Sequence, residues 1–203
     1  NVRQALSLRR TNNMTKSIIL VGVGGQGTIT ASKLLTLGLM EAGFDVKMSE
    51  IHGMSQRGGS VSSQVRYGEK VHSAVIEKGG ADILVAFEKI EAMRFISYLK
   101  KDGKIVVNDY KMDSVMTIIG AQDYPTGVLE ELREKANVLT IKAGELAEKL
   151  GNTKVMNIIL LGALIKSMEL DNIDWNLIIE QNLKPKFVEL NKEALKIGMD
   201  MAV

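Results

Sequence analysis

The sequence predicts a three-layer α/β/α domain, built on a mostly parallel but mixed sheet and completed by a helical C-terminal tail. Three observations predict it: short apolar runs alternate with helical patterns, glycines or polar pairs end several of those runs, and no repeat or linker interrupts the 203 residues. A chain of this length can bury one sizeable core. We therefore expect one domain over residues 14–203, preceded by a disordered leader or cloning remnant at residues 1–13.

Composition narrows the classes of function. The chain has no cysteine, which excludes disulfides, a thiol nucleophile and a cysteine-ligated iron–sulfur cluster within it. A net charge of +2, with no basic stretch interleaved with aromatic residues, argues against nucleic acid as a partner. Two histidines make a weak case for a metal site, and no apolar run has the length of a membrane span. We expect a cytoplasmic protein with no metal, membrane or nucleic acid partner.

The first element is an apolar strand at residues 18–21 that runs into a cluster of glycines. Gly22, Gly24 and Gly27 fit the spacing G-x-G-x-x-G, and a helical pattern follows over residues 27–42. Strand, glycine turn and helix N-terminus form a Rossmann-like βα unit, in which glycine permits positive φ and the first helical amides face an anion. The unit predicts a phosphate-bearing, nucleotide-like ligand, unless the glycines only make a tight corner.

The later elements follow from the same periodicities. A second strand at residues 46–50 is expected to lie parallel to the first through a right-handed crossover, and residues 61–67 and 71–76 indicate a hairpin. The other predicted strands cover residues 82–87, 104–109, 115–119 and 137–141. The predicted helices cover residues 88–100, 124–135, 143–150 and 155–165, and two more begin at Asp174 and Pro185.

A second polar, glycine-rich segment leaves the second strand at residues 51–60. It contains an imidazole, a guanidinium, an amide and two hydroxyls, and it has no helical or strand period. In an open α/β sheet it leaves the same edge as the turn after the first strand, so the two loops should converge there. Arg57 suits a phosphate or a carboxylate because its guanidinium is a planar fork of donors. A surface ion pair with Glu50 is the alternative.

Three stretches of this sequence resemble one known family. They are GVGGQG at residues 22–27, SEIHGMSQRGGSV at residues 49–61 and NIILLGAL at residues 157–164. Together, in this order and over residues 14–203, they are similar to the gamma domain of 2-oxoacid:ferredoxin oxidoreductases. Within that family the second stretch is most similar to the small, beta subunit of the indolepyruvate-oxidising members.

The resemblance implies a thiamine-dependent oxidative decarboxylation. An aryl 2-oxoacid such as indolepyruvate and coenzyme A would give an acyl-CoA, carbon dioxide and reduced ferredoxin. Thiamine diphosphate and the iron–sulfur clusters are expected in a large alpha subunit, with which this small subunit forms a heterodimer, and ferredoxin is a partner through the complex. This chain alone would hold no cofactor, and its contribution to the reaction would be coenzyme A binding and active-site closure.

The residues expected at the coenzyme A site come from both glycine-rich loops. They are Gly22, Gly24, Gly25, Gln26, Gly27, Thr28, Glu50, Ser55, Gln56, Arg57, Gly58, Gly59 and Ser60. His52 is a candidate for proton transfer, and Thr28 could instead only cap the first helical turn. Glu50 follows the glycines by about twenty residues, as the ribose-binding acid of a dinucleotide site does. This spacing supports one alternative, a stand-alone NAD(P)-dependent oxidoreductase. The other alternative is a non-catalytic assembly module, whose loops serve only to dock a partner.

Overall fold

The computed structural model describes residues 15–52, 58–113 and 115–202. Their strands form one sheet in the order β2-β3-β1-β4-β5-β6. The strands are β1 (Lys16–Val23), β2 (Asp45–His52), β3 (Ser60–Gly68), β4 (Ala81–Ala86), β5 (Leu99–Asn108) and β6 (Asn137–Ile141). The helices are α1 (Thr28–Glu41), α2 (Lys89–Phe95), α3 (Val115–Ile118), α4 (Val128–Lys135), α5 (Ala143–Lys149), α6 (Met156–Ser167), α7 (Trp175–Asn182) and α8 (Val188–Asp200). The expected leader, residues 1–13, lies outside the described residues.

The sheet is mixed, as the sequence predicts. β1, β4, β5 and β6 run parallel to one another, whereas β3 is antiparallel to both of its neighbours, β1 and β2. β2 therefore points the same way as β1 but does not lie beside it. The reason is that β3 turns back directly from β2, with His52 opposite Val61, and occupies the place next to β1.

Both faces of the sheet are covered, which confirms the three-layer fold. Ile18 and Leu20 of β1 belong to a core cluster on one face, where α1, α5, α6, α7 and α8 pack. Ile19 and Val21 point to the other face, where a second cluster includes residues of α2 and α4. All four side chains are fully buried. Side chains of a strand alternate between faces, so a run of consecutive apolar residues requires apolar cover on both sides.

Three predicted elements are wrong, and each has a physical reason. Residues 71–76 form no second hairpin arm, because side chains of β3 satisfy their backbone: Gln64 Oε1 accepts from the Ile76 amide at 2.7 Å, and Arg66 donates to the carbonyls of Ser73 and Val75. The helix predicted over residues 88–100 ends at Phe95, because Leu99 already pairs with Ala81 as β5 begins.

The predicted strand at residues 115–119 is instead the short helix α3. This segment lies outside the sheet, so no neighbouring strand satisfies its backbone groups. A helical turn satisfies part of them within the segment itself.

The C-terminal tail is helical, as predicted, and its helices close the core. α6 is buried at nearly every position, and α8 crosses it so closely that a Cβ on Gly162 or Gly198 would collide with the backbone of the other helix. Trp175, at the start of α7, packs against Gly38 of α1. These contacts hold the N-terminus of α6 beside the N-terminus of α1, and that juxtaposition builds the candidate site.

Candidate functional site

The turn between β1 and α1 has the geometry that its glycines predict. Gly25 and Gly27 have φ values of +104° and +82°, which residues with a side chain rarely adopt. A Cβ on Gly25 would meet no protein atom within 4 Å, so the backbone there faces open space. The turn thus leaves room for a ligand beside the first amides of α1, which carry the positive end of the helix dipole.

Gln26, expected among the coenzyme A contacts, braces the turn from inside. Its Oε1 accepts from the Val23 amide at 2.8 Å and its Nε2 donates to the Phe87 carbonyl at 3.2 Å, which ties the end of β1 to the end of β4. Gly22 makes this possible, because a Cβ on it would lie 2.8 Å from Gln26 Oε1 and 2.9 Å from Phe87 Cβ. Both residues therefore shape the turn, and their contact with a ligand stays a prediction.

The second glycine-rich loop meets the first at the expected edge of the sheet. The Gly24 amide donates to the Gly59 carbonyl at 2.8 Å, and the Gly58 amide donates to the Gly24 carbonyl at 3.4 Å. The Ser60 hydroxyl donates to the carboxylate of Glu91 on α2. Ser55, Gln56, Arg57 and the side chain of His52 lie outside the described residues, so their roles stay predictions.

Two helix N-termini converge on the glycine turn. Asn157, in the first turn of α6, donates from Nδ2 to the Gly27 carbonyl at 3.2 Å. A Cβ on Gly27 would lie only 2.6 Å from Asn157 Nδ2, so a side chain at residue 27 would collide with this contact. The polar side chain that the sequence shows inside an apolar helix thus joins the start of α6 to the start of α1.

A cleft of about 570 Å³ opens along this junction. It is lined by the glycine turn (Gly24, Gly25, Gln26, Gly27), Thr30, Tyr110, Met112, Gly144, Glu148, Thr153, Lys154, Met156 and Asn157. Lys154 is exposed and forms no ion pair with any residue that the structure describes. Its ammonium group and two helix N-termini favour an anion in this cleft, and Glu148 is the opposing charge.

Lys154, Tyr110 and Met112 were not predicted from the sequence. The only local signal for Lys154 is a cation just before the apolar helix α6, which is also a common surface pattern. Nothing local relates it to glycines 130 residues earlier, the separation that the Asn157–Gly27 bond spans.

Two buried carboxylates lie beside the site: Glu88 is the N-cap residue of α2, and Glu91 is in its first turn. Glu88 accepts from the Ile90 amide at 2.7 Å, the Glu91 amide at 3.2 Å, the Met112 amide at 3.4 Å and the Tyr124 hydroxyl. Burial raises the pKa of Glu91, with a contribution from nearby Glu88, whereas the Ser60 hydroxyl and Arg94 oppose that rise. Burial and the bond to Glu88 also raise the pKa of Tyr124.

Glu50 and Thr28 do not line the cleft of about 570 Å³. Glu50 lies on β2, which β3 separates from β1, and Ser32 of α1 donates to its Oε1 at 3.4 Å. In a dinucleotide-binding unit the strand with the ribose-binding acid neighbours the first strand, so this geometry does not favour the NAD(P) alternative. Thr28 is buried in the first turn of α1. Both contacts stay predictions.

A smaller cleft of about 400 Å³ also borders the glycine turn, where it is lined by Gly24, Gly25, Gly27, Thr28, Ile29, Thr30 and Val61. A larger cleft of about 760 Å³ lies between the segment before α7 and helix α8, far along the chain from both glycine-rich loops. None of the described helices combines the length and the apolar character needed to cross a membrane.

Comparisons with known proteins agree with the fold and the motifs. The indolepyruvate oxidoreductase subunit IorB of Pyrococcus horikoshii is 37% identical over 194 residues, which cover 92% of this chain and 95% of that protein. The pyruvate oxidoreductase subunit PORC of Thermotoga maritima superposes with a TM-score of 0.69 at 22% identity, over 92% of this chain and 96% of that one.

A third relative is a much longer chain. The 2-oxoglutarate:ferredoxin oxidoreductase of Magnetococcus marinus, solved with 2-oxoglutarate, coenzyme A and succinyl-CoA bound, superposes with a TM-score of 0.71 at 18% identity, over 94% of this chain and 31% of that one. At the identities of these two structures the likeness shows a shared fold.

The match to a family description covers nearly all of the described chain. Residues 17–201 match the family described as pyruvate ferredoxin/flavodoxin oxidoreductase. Together with the identity to IorB, this match confirms the resemblance seen in the motifs. The chain therefore belongs to the pyruvate ferredoxin/flavodoxin oxidoreductase family.

Proposed function

We propose that this chain is the small subunit of a ferredoxin oxidoreductase that oxidatively decarboxylates indolepyruvate or a similar aryl 2-oxoacid. Its partner in a heterodimer is a larger alpha subunit that carries thiamine diphosphate and iron–sulfur clusters. The complete absence of cysteine supports this division, because cysteine-ligated clusters must then belong to another chain. The identity to an indolepyruvate oxidoreductase subunit supports the choice of substrate class.

Within that complex, the cleft at the glycine turn binds the diphosphate of coenzyme A. The observation that carries this proposal is that three features border one cleft: the open backbone at Gly25, the N-termini of α1 and α6, and the ammonium group of Lys154. Within the part of the chain that the structure describes, this ammonium group has no ion-pair partner. Backbone amides and a lysine are the usual donors to a diphosphate. A relative of the same fold that binds coenzyme A is consistent with it.

Reconstitution tests the proposed subunit role. The chain is mixed with the alpha subunit, and ferredoxin reduction by indolepyruvate is followed with and without coenzyme A, and then with other 2-oxoacids. We expect activity that requires both chains and coenzyme A. Failure of the two chains to associate, together with tight NADH binding by this chain alone, would instead support a dinucleotide site.

The role of Lys154 is tested by Lys154→Ala in the same complex. Charge-assisted hydrogen bonds contribute about 1.5–3 kcal/mol, so the KM for coenzyme A should rise roughly 10- to 150-fold with little change in kcat. Lys184→Ala is the matched control, since Lys184 is also exposed and caps the 3₁₀ turn that leads into α8, whereas Lys154 lies in the 3₁₀ turn that leads into α6. Equal effects of the two substitutions would contradict a specific role for Lys154.

A further inference from the structure

The cleft at the glycine turn has a second wall, formed by Tyr110 and Met112 in the segment after β5. Tyr110 is 39% exposed, and its ring takes part in neither of the two Phe–Tyr ring pairs found among the described residues. Its ring lies over the start of α5, where a Cβ on Gly144 would be 3.6 Å from Tyr110 Cδ2. An aromatic face thus borders the same space as the diphosphate-binding turn.

Hydrogen bonds hold this wall in place. The Tyr110 amide donates to the Asn108 carbonyl at 2.7 Å, and its carbonyl accepts from the Lys89 amide at 3.3 Å. The Met112 amide donates a hydrogen bond to buried Glu88, whose carboxylate also accepts a hydrogen bond from the Tyr124 hydroxyl. Burying a carboxylate is costly unless donors surround it, and Glu88 holds the segment against α2 through these bonds. The wall is therefore pre-formed.

We propose that Tyr110, with Met112 beside it, binds the adenine ring of coenzyme A. The inference rests on the proposed function, because it assigns the second half of the same cleft. In coenzyme A the diphosphate joins the adenosine directly to the pantetheine arm, so a diphosphate at Gly24–Gly27 brings the base within the same cleft. Every base has a π-face that stacks on an aromatic ring, and thioether contacts with rings are also favourable.

The size and the charges of the cleft fit this ligand. About 570 Å³ lies within the range of roughly 300–1,000 Å³ typical of small-molecule sites. Lys154 and Thr153 line the cleft near α6, and Glu148 lines it on α5. The aromatic wall gives an uncharged surface to the uncharged base, while the cation and the helix N-termini serve the phosphates.

The test measures equilibrium binding to the reconstituted complex by isothermal titration calorimetry. The probes are coenzyme A and 4′-phosphopantetheine, which lacks the 3′-phosphoadenosine and one phosphate of the diphosphate. The variants are Tyr110→Ala, the conservative Tyr110→Phe, and Phe187→Ala as a control, since Phe187 is equally exposed (38%) but lies outside the cleft. Base–aromatic stacking contributes about 1–3 kcal/mol, so Tyr110→Ala should weaken coenzyme A binding roughly 5- to 150-fold. Tyr110→Phe and Phe187→Ala should leave it unchanged.

Binding of 4′-phosphopantetheine should be unaffected by Tyr110→Ala, because that probe has no base to stack. Equal losses for both probes would overturn the inference, since they would indicate general damage to the cleft. Unchanged coenzyme A affinity in Tyr110→Ala would overturn this inference alone and leave the proposed function standing. A wild-type complex that binds no coenzyme A would overturn both.

Discussion

Replacing Gln26 by alanine should destabilise the protein, because the side chain is an internal brace. Gln26 is only 9% exposed, and its amide joins the Val23 amide to the Phe87 carbonyl. Alanine removes both hydrogen bonds at a buried junction of β1 and β4. Asn108 also donates to the Phe87 carbonyl at 3.2 Å, so that oxygen keeps one partner. Most of the loss of stability should therefore come from the Val23 amide, which loses its acceptor.

The magnitude follows from these contacts. A buried donor that loses its acceptor costs about 1–3 kcal/mol of the free energy of unfolding. For a domain of this size each kcal/mol lowers Tm by about 2–4 °C, so Gln26→Ala should lower Tm by about 2–12 °C. Gln26→Glu should be worse at neutral pH, because its second oxygen would face the Phe87 carbonyl with a buried negative charge. Its deficit should shrink at acidic pH, where the carboxyl is protonated and can donate.

Thermal unfolding by calorimetry measures this effect, with Gln181→Ala on the exposed side of α7 as the control. Coenzyme A affinity of the reconstituted complex is measured alongside. Unchanged Tm in Gln26→Ala combined with a large loss of coenzyme A affinity would refute the reasoning. That result would make Gln26 a ligand contact and not a brace.

Two other predictions concern pH and packing. Burial raises the folded-state pKa of Glu91 above the ordinary value of 4.5, so the contribution of Glu91 to stability should fall as pH rises from about that value through the folded-state pKa. Glu91→Gln cannot titrate, so the stability of this variant relative to wild type should increase from pH 4 to pH 7.5 in urea unfolding. A difference that is constant with pH, or matched by exposed Glu193→Gln, would contradict this. Gly198→Ala would place a Cβ against the Ile159 carbonyl where α8 crosses α6, and overpacking of this kind costs about 1–3 kcal/mol or more. Gly144→Ala, whose Cβ would make only an ordinary contact, should have little effect, and a similar Tm for both variants would mean that the helices can move apart.

Local patterns in the sequence determined most of the elements. Four consecutive apolar residues at 18–21 indicate a strand that is buried on both faces, and the structure has one. Glycines after that strand predict a turn with positive φ, which Gly25 and Gly27 adopt. The apolar residues all round α6 predict its burial. These features could be predicted because each depends on the periodicity or the backbone freedom of neighbouring residues.

The tertiary structure alone decided which elements meet. A strand-like composition at residues 61–67 does not say whether β3 pairs with the segment after it or inserts between β2 and β1. Residues 115–119 have a strand composition but no strand beside them, so they form a helix. The cleft itself depends on α6 reaching α1 across 130 residues. Periodicity indicates which side of an element is buried, whereas the packing of the whole core selects the element that covers it. Lys154 and Tyr110 reach the glycine turn only through that packing.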